Sequence, residues 1–148
     1  MTAPPAWVAI QSGSRRSGDA GSLRANDGSF LEVNADRRSG RSSWYGTFTL
    51  VPNALASLFV AYRGSNSAAC SQTVSLWNWA TGVWVTLDSQ TVGSTETAVA
   101  ESRTSAPGAF VSGSSGAGTV AVRVRCTRTA GTSFFSRGDL LTISYEKP

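Results

Sequence analysis

The chain has no histidine, a single lysine (Lys147), a single methionine and only two cysteines among its 148 residues. Without histidine, a Ser-His-Asp or Cys-His catalytic arrangement cannot be assembled, and the commonest metal ligand is missing. The cysteines form no Cys-x-x-Cys motif, so a zinc site lacks ligands. Charged residues reach only 15% while hydrophobic residues make up 41%, a balance unlike that of a disordered segment. No apolar run is long enough for a membrane-spanning helix, so no membrane span is expected. The net charge is +4, but the arginines are scattered and match no nucleic-acid motif, so nucleic acid is not expected as a partner.

What the chain does have is short β-type runs separated by Gly, Ser, Asn and Asp clusters, with no convincing amphipathic helix period. Candidate strands cover 7–11, 30–35, 43–50, 57–63, 72–79, 83–89, 95–102, 119–127 and 140–145, with a weaker run near 109–111. Turn signals fall at Asn26-Asp27-Gly28-Ser29, Ala80-Thr81-Gly82, residues 112–116 and Arg137-Gly138-Asp139. The pattern predicts an all-β fold, an antiparallel β-sandwich of one domain over residues 7–148. Residues 1–6, with Pro4 and Pro5, are expected to be an appended start or the end of a linker. A single disulfide between Cys70 and Cys126 is the simplest reading, and two free buried thiols are the alternative. A disulfide implies an oxidising, secreted setting, with an export signal expected upstream.

Alternation assigns faces, because successive strand side chains point to opposite sides. Val120, Val122, Val124 and Cys126 form the apolar set of one strand, opposite Ala121, Arg123, Arg125 and Thr127. Cys70, Val74 and Leu76 share the apolar face of another, which places Trp77 and Trp79 outward with Ser71, Thr73 and Ser75. Val83, Val85 and Leu87 form the next apolar set, leaving Trp84 with Thr86 and Asp88. A hairpin through Ala80-Thr81-Gly82 brings the tryptophans together. Trp44 reads as core and Tyr45 as exposed.

Exposed flat rings suit the C–H faces of sugars, with nearby polar groups orienting hydroxyls. The opposing reading has Trp77 or Trp84 turned inward at a β-bulge. Arg123 and Arg125 could grip anionic groups, or be a solvated strand face paired with Glu101 or Asp88. Asp27, Glu32 and Asp139 are the candidate calcium ligands, while the plainer view makes them turn and capping residues. The acidic residues form no recognisable catalytic motif, and the chain is not expected to be an enzyme.

The stretch Ser75-Leu76-Trp77-Asn78-Trp79-Ala80-Thr81-Gly82-Val83-Trp84-Val85-Thr86-Leu87 resembles a hairpin of β-sandwich accessory domains in secreted bacterial enzymes. Residues 25–33, through Asn26-Asp27-Gly28, and 138–145, Gly138-Asp139-Leu140-Leu141-Thr142-Ile143-Ser144-Tyr145, resemble the same jelly-roll modules. The resemblance, to carbohydrate-binding modules of actinobacterial-type exported proteins, implies a polysaccharide or other extended polymer as ligand. It also implies a structural calcium in addition to an otherwise cofactor-free domain, and a covalently linked catalytic domain in a parent protein. In such hairpins the tryptophan after the glycine is often a packing residue, which leaves Trp84 between core and platform. The expected function is a non-catalytic, monomeric, secreted binding module. Its contacts would come from Trp77, Trp79, Trp84, Tyr45, Arg123, Arg125, Gln72 and Asp88. The alternative is a structural or adhesion domain that uses the aromatic strip for protein contact.

Overall fold

The computed structural model describes residues 2–148. Eleven strands follow in chain order: β1 (Thr2–Ala3), β2 (Trp7–Ser12), β3 (Ser14–Ser17), β4 (Leu31–Asn34), β5 (Arg41–Pro52), β6 (Ser57–Asn66), β7 (Cys70–Asn78), β8 (Val83–Val92), β9 (Thr97–Arg103), β10 (Ala117–Thr127) and β11 (Phe135–Glu146). They pair antiparallel into two sheets. One runs β3-β4-β11-β6-β9 with β1 also on β11, and the other runs β2-β5-β10-β7-β8. Sheets of this kind bury one face each and pack those faces together.

The core follows the two-residue period. Trp44, Phe48, Val74, Leu76, Val120, Val122 and Val124 from one sheet meet Leu31, Val33, Leu58, Val60, Tyr62, Leu141 and Ile143 from the other. Trp44 and Tyr62 are both fully buried, with ring centroids 6.0 Å apart. A Cβ on Gly138 would lie 3.1–3.4 Å from Leu23, Trp44 and Tyr62, so glycine lets β11 approach these side chains without pushing them aside. Cys70 and Cys126 are joined, with Cα atoms 5.6 Å apart, and Phe134 packs beside them in a small second cluster.

Four sequence expectations differ in outcome. Arg137-Gly138-Asp139 is not a turn but lies within β11, where the register to β6 shifts between Gly138 and Leu140. A β-bulge uses the same glycine chemistry as a turn, which explains the misreading. The run near 109–111 forms a 3-10 turn over Pro107–Phe110, led by Ala106 in the left-handed region at φ 48°. Strand β3, Ser-Arg-Arg-Ser, carries no apolar residue and so gives no strand signal. Within the stretch expected as an appended start or the end of a linker, Thr2 and Ala3 pair with Ser144 and Ile143, and Pro5 is buried beside Gly46.

The disulfide closes a loop with a sequence separation of 56, which is worth roughly 4 kcal/mol in the chain-entropy model. Replacing both cysteines with alanine is therefore expected to lower Tm by roughly 8–16 °C. An equal Tm for the two forms, read by calorimetry, would show that the crosslink does not restrain the chain.

Candidate ligand-binding face

The outer face of the β2-β5-β10-β7-β8 sheet carries an aromatic cluster at one end. Asn78 ends β7 and its Oδ1 accepts from the amides of Ala80 and Thr81, at 2.9 and 3.1 Å. Gly82 follows at φ 71°, a left-handed conformation in which glycine carries no steric penalty. The resulting hairpin sets Trp77 directly opposite Trp84. Their centroids are 5.2 Å apart at 66°, and Trp79 stands edge-on to Trp77 at 6.3 Å and 85°. The Trp79 amide donates to the Ala109 carbonyl at 2.9 Å, so the 3-10 turn pins the hairpin tip.

Trp84 reaches from the edge strand across β7 to the centre of the sheet. Its ring lies 6.0 Å from Tyr45 on β5, and the Arg123 guanidinium sits over it at 4.6 Å. Ser75 stands between Arg123 and Thr86 in the register, and its small side chain leaves room for this crossing. Trp77, Trp79, Trp84, Tyr45, Gln11 and Ala121 together line an open cleft of about 380 Å³. Trp84, which the sequence leaves between core and platform, is half-buried on the outer face.

Basic residues continue the face along the same strands. Arg123 pairs in register with Tyr45, Arg125 with Ser43, and Thr127 with Arg41. Arg125 Nε donates to Ser43 Oγ at 3.2 Å, and that hydroxyl donates to Gln11 Oε1 at 2.9 Å. Burial lowers the Arg123 pKa to about 10, with Arg125 and then Arg41 adding to the effect. Burial and Arg41 lower Arg125 as well. Both remain cationic at neutral pH.

Two expected contacts are not on this face. Gln72 is buried at 1% exposure among the core residues of β7, in the same alternation as Cys70 and Val74. Asp88 is turned by a bulge. The register slips between Val74 and Ser75, leaving Leu87 as the extra residue, so Asp88 pairs with Val74 instead of continuing from Thr86. There its carboxylate accepts from Gln90 Nε2 at 2.8 Å. Neither Asp88 nor Glu101, which lies on β9 of the other sheet, pairs with Arg123 or Arg125.

Sequence reasoning missed Trp7, Gln11 and Arg41. Trp7 is 50% exposed and pairs with Thr47, which places it on the same outer face at the β2 edge. Its signal was available, since Val8 and Ile10 alternate with Trp7, Ala9 and Gln11. Arg41 needed the strand register.

The three expected calcium ligands separate. Asp27 Oδ1 accepts from the Ser29 amide at 3.1 Å and so serves its own loop. Glu32 accepts from Ser17 at 2.7 Å and from Arg137 at 3.0 and 3.1 Å. Asp139 is buried, and its Oδ1 has no hydrogen-bond partner. Burial and the adjacent Glu96 carboxylate push its pKa up, against the pull of the Gly28 and Asp27 amides. The Asn26 amide fits between Asp139 and Arg63, donating to the first and accepting from the second at 3.1 Å. Turned over, it would present its oxygen to Asp139 beside Glu96, where two carboxylates meet. No group of three or more Asp, Glu, His or Cys side chains placed to hold a metal ion occurs among the described residues.

The architecture recurs in solved structures. A carbohydrate-binding module of family 4 matches with a TM-score of 0.60 at 12% identity, over 95% of this chain and 94% of that one. A family 35 carbohydrate-binding module from Clostridium thermocellum gives 0.50 at 14% identity, over 95% and 98% of the two chains. An exo-β-agarase matches at 0.60 and 7% identity, with 97% of this chain covering 24% of that one. No family model matches the sequence, and no curated protein matches it. The chain is thus a carbohydrate-binding-module-like jelly roll, a likeness of fold.

The Ser17 hydroxyl, with Arg137 and Arg16, holds the Glu32 carboxyl below the usual carboxylate range despite the opposing effect of burial. A lowered folded pKa contributes stability above the unfolded value, lost as pH falls through the folded one. Glu32→Gln is expected to cost roughly 1–2 kcal/mol near neutral pH. In urea titrations the difference from wild type should begin to shrink as pH falls below the ordinary carboxylate value of about 4.3, and vanish only once pH is below the lowered folded value. A deficit that persists at low pH would assign the effect to packing.

Proposed function

We propose that this chain is a non-catalytic polysaccharide-binding module that holds a secreted enzyme against its substrate. The observation that carries the reading is the cleft walled by Trp77, Trp79, Trp84 and Tyr45. Rings set edge-on to one another offer faces in several directions, so a bent sugar chain can lie against more than one. Each stacked ring is worth about 0.5–2 kcal/mol, so a useful affinity needs several. Gln11, held by Ser43, is the polar group placed to orient a hydroxyl. No carboxylate lines the cleft, so it offers no acid or base for glycoside hydrolysis. The disulfide supports an exported protein, and the occurrence of the fold within a larger agarase supports a module beside a catalytic domain.

The Trp77→Ala/Trp79→Ala double variant is expected to lose retention on insoluble polysaccharide while Tm falls by less than about 4 °C. Retention equal to wild type would sink the reading. Trp-dependent self-association in sedimentation, with no retention on any polysaccharide, would favour the adhesion role instead of a monomeric binder.

A calcium ion would be held by Asp139, Glu96 and the Asn26 side-chain oxygen, supplying positive charge that Arg63 alone provides at present. Its chemistry here is structural, tying the 26–28 loop to β11. Millimolar calcium is expected to raise Tm by several degrees, about 2.7 kcal/mol at a hundredfold excess over Kd, and Asp139→Asn should abolish that rise. No shift in the wild type would show that Arg63 suffices.

A further inference from the structure

Arginines are treated differently on the two outer faces. On the β3-β4-β11-β6-β9 sheet, Arg137 and Arg16 pair with Glu32, and Arg63 pairs with Glu96. These are the ion pairs among the described residues, and none reaches the aromatic face. There Arg41, Arg123 and Arg125 lie together along β5 and β10 and form no ion pair. Asp36, the bridge partner of Arg41, has its carboxylate engaged by the Arg38 amide and the Ser39 hydroxyl. The stacking of Arg123 on Trp84 accounts for that side chain alone, and the Nε atoms of Arg123 and Arg41 are both enclosed without a hydrogen-bond partner. Ser43 fixes Arg125 through Nε, which leaves the terminal fork of the guanidinium, the part that grips carboxylates and sulfates in pairs, without a protein partner. Three mutually repelling cations, partly withdrawn from water, cost free energy in the unliganded protein, and a bound anion would relieve that cost.

We propose that the polymer taken by this face is an acidic polysaccharide: sugar rings lie on Trp77, Trp79 and Trp84, and its anionic groups seat on Arg123, Arg125 and Arg41. The proposal rests on the polysaccharide reading above and names the charge of its ligand. The geometry suits a chain running along the strands. From the Trp77 row to the Arg125 row is four residues of strand, about 13 Å, so one short segment spans both ends. Single-stranded nucleic acid fits less well. Base stacking along a phosphate track needs aromatic rings spaced among the cations, whereas here the three tryptophans crowd at one end. Carboxylate and ester sulfate share the required chemistry, and the probes separate them.

The test measures binding by calorimetry at low salt and at about 0.3 M NaCl, where exposed charges are screened. The probes are polygalacturonate as the carboxylate source, dextran sulfate as the sulfate source, galactan and hydroxyethylcellulose as neutral polymers, and oligo-dT as a non-glycan polyanion. One acidic polysaccharide is expected to bind at least about tenfold more tightly than either neutral polymer, and to weaken with salt. Arg123→Gln/Arg125→Gln should lose that margin, about tenfold or more. Arg24→Gln/Arg103→Gln, which removes equal charge elsewhere, should keep it. Arg125→Gln alone serves if the double variant fails to fold. Neutral polymers bound as tightly as acidic ones, with dependence on Trp77 and Trp79, would overturn the acidic assignment and leave the polysaccharide reading intact. Oligo-dT bound as tightly, through the same arginines, would overturn the polymer class. Absence of binding to every polysaccharide would overturn both.

Discussion

The two-residue alternation along β10 is the constraint on which the rest of the molecule depends. One side of this central strand is Val120, Val122, Val124 and Cys126, which seal the core and anchor the crosslink to Cys70. The other side is Ala121, Arg123, Arg125 and Thr127, which forms the middle of the candidate binding face. A slip of one residue would put arginines among Trp44 and Phe48 and valines beside Trp84. Core and face are thus specified by the same pairing, and the disulfide at Cys126 restrains that register close to where it matters.

The same period made much of this legible from sequence. It located eight strands to within about three residues and the last one from its second half, placed Trp44 inside and Tyr45, Trp77 and Trp79 outside, and put both cysteines on apolar faces. It failed where the period breaks. At Leu87 a bulge swings Asp88 off the face that Thr86 occupies, and at Gly138 another makes a turn-like tripeptide part of a strand. Each bulge also has a consequence for the site. The first keeps Asp88 away from Arg123 and Arg125, and the second buries Asp139 beside Glu96.

Pairing between strands is the other part that sequence could not supply. Arg41 joins Arg123 and Arg125 only because β5 and β10 run antiparallel with Thr127 opposite Arg41. Glu32 and Asp139 look equivalent as acidic residues in β segments, yet one is ringed by Arg137, Arg16 and Ser17 while the other faces a carboxylate. Their pKa values move in opposite directions for that reason, the first down and the second up. Neighbours brought in by topology decide what each carboxylate can do.

That principle separates the two outer faces of the sandwich. On one sheet Arg16, Arg63 and Arg137 are held by carboxylates, and Arg16 and Arg137 also by the rings of Phe30 and Phe135, so the charge of these three is satisfied within the fold, while Arg15 and Arg103 stand exposed. Folding alone explains them. On the other, Arg123 rests on Trp84, Arg125 is steered by Ser43 and Gln11, and no carboxylate answers either. Positioning without neutralisation is what a preformed anion receptor requires, because the ordering of the side chains is already done and only the charge is left to meet. The tryptophans beside them are held in the same way, by the Asn78 turn and the Ala109 carbonyl. Both halves of the face are therefore ordered before a ligand arrives, and the affinity for a short polymer segment would come from contacts made rather than from loops closed.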